Sequence, residues 1–364
     1  MKVALVYDRV NKWGGAERVL LALWKIFPQS VLFTSVYQPT SASWAKKFKV
    51  KSSFLQKFPK AKSSHELYAL LMPIAFESFS FDDFDLVISV TSEAAKGIIT
   101  KPKTLHICYM LTPTRYLWSG YDMYFKNVAL KILCFPFVKY LKFWDTLAAN
   151  RPDYYLAISN EVKNRIKKYY NQKSLVVYPP IDSSLLEKGK EIKPYLEKEK
   201  YFLIVSRLVY YKRLDLAIEA FNKLGFPLKI VGVGKENNNL KKLAGKNIEF
   251  LGSLTDEQLI RYYKGCLALI FPGEEDFGLT IIEAQAFGKP VIAYYSGGAK
   301  ETIIEGKTGE FFKRQTKEDL VEAIARFKSK SYKAKDCIAQ AAKFSQAKFA
   351  KEFKNALESY NYKI

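Results

Sequence analysis

The chain runs to 364 residues, 49% of them hydrophobic and 26% charged, which gives room for two domains with cores of their own and excludes a disordered chain. Fifty-eight basic against thirty-six acidic side chains leave a net charge of +22, which nucleic acid or an anionic membrane surface would explain. Four scattered cysteines (Cys108, Cys134, Cys266, Cys337) and two histidines (His65, His106) form no paired motif, pointing to reduced thiols and away from a structural zinc site.

The opening residues, MKVALVYDRV, read directly as a strand over 3–7 with no cleavage-site pattern, so no signal peptide is expected. Gly14-Gly15 then reads as a tight turn. A strand over 30–34 precedes a dense basic run: Lys46 to Lys62 holds seven lysines and no acid, interleaved with Phe48, Phe54, Leu55 and Phe58. Strands follow over 86–89 and 105–110, with Pro113 and Arg115 in the loop after the latter. Residues 121–144 are rich in Tyr, Phe and Trp with lysines between them. Both basic-aromatic stretches read either as surface-binding segments or as solvated faces over core aromatics. The longest apolar run, 128–138, is broken by Lys131 and Pro136 and is too short to span a membrane. Strands over 154–159 and 175–178 close the first half. The polar stretch 179–200 reads as a connection with a short helix. In the second half strands are expected over 201–206, 228–231, 248–250, 267–271 and 291–293, with a helix over 255–264. The tail, 334–362, reads as helix. Strand and helix alternate throughout, which predicts parallel sheets covered on both faces. Two doubly wound domains of this kind would face each other across a cleft at the carboxyl ends of their strands.

Residues 271–290, FPGEEDFGLTIIEAQAFGKP, are the most informative stretch. A buried strand runs into the acidic loop Glu274-Glu275-Asp276, and a helix opens at Gly278 and stops at Gly288 and Pro290. The free N–H groups at Phe277, Gly278, Leu279 and Thr280 suit a phosphate. Glu275 and Glu283, one in the loop and one in the helix, are placed to face one cleft. Carboxylates beside an anion site make sense if the phosphate carries sugars, whose hydroxyls donate to them. The plain alternative is a solvated acidic loop with Glu283 on the wet side of an ordinary helix.

This segment closely resembles the signature of retaining GT-B glycosyltransferases of family 4 (group 1). Ser206-Arg207-Leu208 with Lys212 and Leu214-Asp215 is similar to the family's basic diphosphate clamp. The run Ile230-Val231-Gly232-Val233-Gly234 is similar to its nucleotide-side turn. Ser296-Gly297-Gly298-Ala299 with Glu301, Gly306 and Thr308-Gly309 also fit. In the first half, Gly14-Gly15-Ala16-Glu17-Arg18 resembles the acceptor-side glycine loop. YMLTPTRYLW at 109–118, Trp144-Asp145, Arg151-Pro152-Asp153 and Tyr178-Pro179-Pro180 resemble a mannosyltransferase-like subset.

The resemblance implies a GT-B fold: an acceptor-side Rossmann-like domain over 1–180, a nucleotide-sugar domain over 181–343, and a helix over 344–364 crossing back to the first. It assigns Glu275 to the transferred hexose and Glu283 to the ribose. Arg207 and Lys212 would stabilise the departing diphosphate without a metal or cofactor, and Gly232 and Gly234 would line the nucleotide. Surface charge is the competing reading for the two cations. Gly14, Gly15, Asp8, Pro113 and Arg115 fall on the acceptor or phosphate side, with a local loop cap as the other reading of Asp8. Leu111 stands where many relatives have histidine. His65 and His106 read as structural. The expected partners are a nucleoside-diphosphate sugar, a glycan or lipid-linked acceptor and an anionic membrane surface, in cell-envelope polysaccharide synthesis. The expected place is the cytoplasm, peripheral on the inner face of the membrane. A sugar-nucleotide epimerase on the same scaffold and a nucleic-acid-binding protein are the alternatives; no zinc finger, RNP motif or basic recognition helix supports the latter.

Overall fold

The computed structural model describes residues 1–125, 127–195, 200–328 and 331–360. They form two units, one of residues 1–179 with the chain from Phe349 onward, the other Pro180–Lys348.

The first unit is built on a parallel sheet of β1 (Val3–Tyr7), β2 (Val31–Thr34), β3 (Lys49–Ser52), β4 (Leu86–Thr91), β5 (Leu105–Met110), β6 (Tyr154–Ala157) and β7 (Ser174–Val176). Their order is β3-β2-β1-β4-β5-β6-β7. The central strands are runs of Val, Ile and Leu buried on both faces, as helix-covered parallel strands require. Register follows: Leu5 lies between Leu32 and Ile88. On one side Phe33 packs within 4.9–5.6 Å of Phe79, Phe81 and Phe84. Elsewhere in the unit the last helix, Gln346–Ser359, buries Phe349, Phe353 and Leu357. Its Phe349 ring lies 6.0 Å from Tyr109 and its Phe353 ring 6.3 Å from Phe27.

The second unit holds β8 (Phe202–Val205), β9 (Leu228–Val231), β10 (Ile248–Gly252), β11 (Leu269–Phe271), β12 (Val291–Tyr294) and β13 (Gly309–Phe312), again all parallel. The order β10-β9-β8-β11-β12-β13 is that of a doubly wound nucleotide-binding sheet. The helix Leu214–Leu224 buries Leu216, Ala217, Ala220 and Phe221 against it. The helix Asp256–Gly265 is held at its start by a capping box between Thr255 and Gln258.

Two strands were not anticipated. Lys49–Ser52 falls inside the lysine run and forms a sheet edge, its lysines exposed; edge lysines discourage pairing with a second chain. Gly309–Phe312 is fully buried although it contains Glu310, whose carboxylate accepts from the Tyr332 hydroxyl and lies 3.6 Å from Arg326. The tail is two helices, Ala334–Ala342 and Gln346–Ser359, not one, and Tyr362 lies outside the described residues. The passage from second unit to first falls at 348/349.

Candidate functional site

In the second unit the winding of the sheet reverses between β8 and β11, adjacent strands with Leu203 opposite Leu269. Loops leaving two such strands diverge and open a crevice between them. The loop after β8 carries Ser206, Arg207 and Lys212. The loop after β11 carries the acidic triplet.

Across this crevice Lys212 Nζ pairs with the Glu275 carboxylate. Lys212 is 7% exposed, whereas the Glu275 side chain is 27% exposed, so the carboxylate is the member that reaches the surface. Arg207 is exposed, and its guanidinium donates to the Tyr211 hydroxyl. The Tyr211 ring lies 6.0 Å from the Arg207 guanidinium and 5.2 Å from Lys212 Nζ, within cation–π range of both. Half-buried Ser206 donates to the Arg207 carbonyl at 3.2 Å.

The acidic loop is fixed from behind by the turn after β12. Gly298 N–H donates to the Glu275 carbonyl at 2.9 Å. A Cβ on Gly297 would lie 2.1 Å from that carbonyl oxygen, and one on Gly298 2.3 Å from Phe277 Cα, so neither position admits a side chain. Ser296 Oγ holds Glu274 at 2.6 Å. The backbone of Glu275 is thereby immobilised while its carboxylate stays accessible.

Gly278, at φ +89°, starts the helix Leu279–Ala286, and no side chain caps it. Leu279 and Thr280 are half-buried, and Phe277 is buried 5.4 Å from Phe344. An uncapped helix start beside two cations is suited to an anion. Gly232 and Gly234 have a packing explanation. A Cβ on them would lie 1.8 Å from the Ser206 carbonyl oxygen and 2.1 Å from that of Leu208. They let the turn after β9 press against the loop after β8.

Glu283 does not share the exposure of Glu275. It is 2% exposed and accepts from the Tyr263 hydroxyl at 2.7 Å. Neither Tyr263 nor Tyr211 was singled out in the sequence. Tyr211 had a local signal, lying between the two cations; Tyr263 had none.

The first unit has a corresponding reversal between β1 and β4. Asp8 bridges it, accepting from Thr91 Oγ1 at 2.7 Å, Ser92 N–H at 2.8 Å and Ala95 N–H at 3.0 Å. It is 3% exposed. Burial pushes its carboxyl above the ordinary value, aided by nearby Glu93 and opposed by Arg9. These contacts fit the reading of Asp8 as a local cap: its oxygens tie two loops together. Gly14 precedes the helix Gly15–Ile26, whose Glu17 is buried on the Tyr7 hydroxyl at 2.7 Å. Pro113 is buried and Arg115 half-buried in the loop after β5. Thr114 and Trp118 of this loop donate to Asp145 at 2.9 and 2.8 Å. Asp145 also receives Tyr170 at 2.7 Å and pairs with Lys96 at 2.5 Å. His106 sits inside β5 with Nε2 2.8 Å from Ser89 Oγ, and burial with Arg151 pushes its imidazole down to about 3. The four cysteines are free thiols. Among the described residues no cluster of three or more His, Cys, Asp or Glu could hold a metal.

Two doubly wound units, the second with a cation–carboxylate crevice beside an uncapped helix, define a GT-B protein. Solved structures agree in fold. The chain and the structure of Anabaena HepE in complex with UDP-glucose cover 99% and 100% of one another at 17% identity, with a TM-score of 0.71. Residues 186–344 match the family described as glycosyl transferases group 1. The second unit is thus similar to that family over this segment. An uncharacterized glycosyltransferase of Methanocaldococcus jannaschii is 28% identical over 49% of this chain and 50% of the relative. The O-antigen chain mannosyltransferase C of Escherichia coli is 24% identical over 51% of this chain and 52% of the relative. The chain spans about half the length of these curated relatives.

Proposed function

We propose that this protein transfers a hexose, with mannose the first candidate, from a nucleoside-diphosphate sugar to a glycan or lipid-linked acceptor in cell-envelope polysaccharide synthesis. The transfer retains anomeric configuration and needs no metal. The observation that carries this reading is the Lys212–Glu275 pair spanning the β8/β11 crevice beside an uncapped helix start. Bond breaking at the sugar leaves charge on the diphosphate. Arg207, Lys212 and the N–H groups at Leu279 and Thr280 answer that charge in place of a metal. Glu275 accepts from hydroxyls of the hexose, and Glu283, oriented by Tyr263, from those of the ribose. Gly232 and Gly234 keep the nucleotide side free of side chains. Gly14, Gly15, Pro113 and Arg115 belong to the acceptor side. The solved HepE complex with UDP-glucose and the relatedness to a mannosyltransferase support a nucleotide-sugar donor.

The test is a panel of GDP-, UDP- and ADP-sugars, read by thermal shift and by release of nucleoside diphosphate with and without EDTA. A ligand held only by the folded state raises the melting temperature. One nucleotide class should do so, and its sugar should be consumed at an unchanged rate in EDTA. No shift with any donor, together with steeply salt-dependent RNA binding, overturns the proposal. A chelated enzyme revived by magnesium or manganese overturns its metal-free part.

A further inference from the structure

The helix Val128–Ala148 of the first unit carries a row of exposed apolar side chains. Ile132 and Val128 are 70% exposed, Leu133 68%, Phe143 65%, Phe135 60% and Phe137 50%. Single exposed apolar side chains are ordinary; a row of bulky ones along one helix marks a contact surface. The opposite face is anchored: Val138 and Leu141 pack with Leu117, and Trp144 Nε1 donates to Glu77 at 2.7 Å. The exposed face is therefore not a frayed end.

The charge on this helix has one sign. Its only acid is Asp145, which is buried and engaged by Lys96, Thr114, Trp118 and Tyr170. Its cations are Lys131, Lys139 and Lys142. Lys142 Nζ stands 4.7 Å over Tyr121 and 5.4 Å over Trp118, and Lys131 pairs with Asp122 at 2.8 Å. Bulky apolar side chains, aromatic rings and lysines without exposed acids on the helix suit an anionic interface between water and hydrocarbon. Spanning is excluded for it: no helix among the described residues is long and apolar enough to cross a membrane, and one face of this one is committed to the core.

We propose that the exposed face of Val128–Ala148 docks the first unit on the surface of an anionic lipid bilayer. The helix lies in the interface, its apolar side chains among the acyl chains and its lysines at headgroup level. The lysine run 46–62 contributes charge, not insertion along its whole length, because Phe48, Leu55 and Ala61 belong to the core. The proposal stands on the helix alone and is independent of the donor chemistry.

The test uses the full chain and vesicles, either equimolar phosphatidylcholine and phosphatidylglycerol or pure phosphatidylcholine. The protein should sediment with the mixed vesicles, less so as salt rises, and stay in solution with the neutral ones. Ile132→Glu/Phe135→Glu/Phe143→Glu should lose roughly tenfold or more of that partition, with melting temperature and sugar-nucleotide response kept. If that variant unfolds, Ile132→Ser/Phe143→Ser decides, with a loss of roughly threefold expected. Equal partition on both vesicles, no partition on either, or a folded variant that binds like wild type overturns the proposal. So does light scattering that shows a dimer dissolved by the glutamates without any vesicle binding, since a second copy then covers the face.

Discussion

The two units wind their sheets in the same sense and each bridges the reversal with a carboxylate, but the bridges differ. In the first, Asp8 is buried and meets two backbone N–H groups and a hydroxyl from the opposite loop. In the second, Glu275 meets the Lys212 ammonium, and its carboxylate reaches the surface. A carboxylate whose lone pairs are taken up by its own chain stabilises the loops. One held by a cation near solvent can exchange that partner for a ligand. The same topology thus yields a structural tie in one unit and a candidate catalytic position in the other.

The comparison breaks or holds on a graded set of variants. Glu275→Gln should lower turnover roughly a hundredfold or more, with donor-induced thermal shift and stability nearly unchanged. Wild-type turnover would remove Glu275 from the reaction. Lys212→Ala and Arg207→Ala should each cost about 3 kcal/mol in activation free energy. Because Lys212 and Glu275 touch, the double variant should lose less than the sum of the singles. Full additivity would show that the pair does not act as one device.

Asp8→Asn tests the other half of the comparison. It should cost about 1–3 kcal/mol in stability to denaturant, while each folded molecule keeps its turnover. Abolished transfer in a fully stable variant would reverse the assignment. Tyr263→Phe should raise the donor KM several-fold, about 1 kcal/mol, with kcat little changed, since it removes only the hydroxyl that orients Glu283.

The smallest effect concerns pH. Burial holds His106 down to about 3 and His65 to about 4, against an ordinary value of 6.5. Their stabilising share is whole above 6.5 and is lost as pH falls toward those values, because the unfolded chain takes up the protons first. Both histidines lie in the first unit, so that unit should soften first in acid. Hydrogen exchange by unit at neutral pH and at about pH 4 checks this. His106→Gln should flatten the trend.

What was legible in the sequence follows from how locally each feature is encoded. The core strands announce themselves as runs of Val, Ile and Leu. Lys49–Ser52 does not, because an edge strand carries one apolar residue among lysines, and Gly309–Phe312 hides behind a buried glutamate that only Tyr332 and Arg326 make tolerable. Arg207, Lys212 and Glu275 stand out because strand, loop and helix start are local signals. The fate of Asp8 is not local: its donors lie more than eighty positions along the chain. The same holds for Tyr263, which reaches Glu283 from a separate helix. The helix Val128–Ala148 was legible as an aromatic-basic stretch, but which of its faces the core claims was decided by packing against Leu117.

The last helix has a consequence for the order in which the chain is made. Phe349 and Phe353 complete the packing around Tyr109 and Phe27, yet they are synthesised only after the whole second unit. At roughly 5–20 residues per second, the first unit waits about 10–30 s on the ribosome for its final element. During that interval Tyr109 and Phe27 lack their partners, while the second unit emerges as one continuous segment and is free to fold. The first unit is thus completed only after the second has been made.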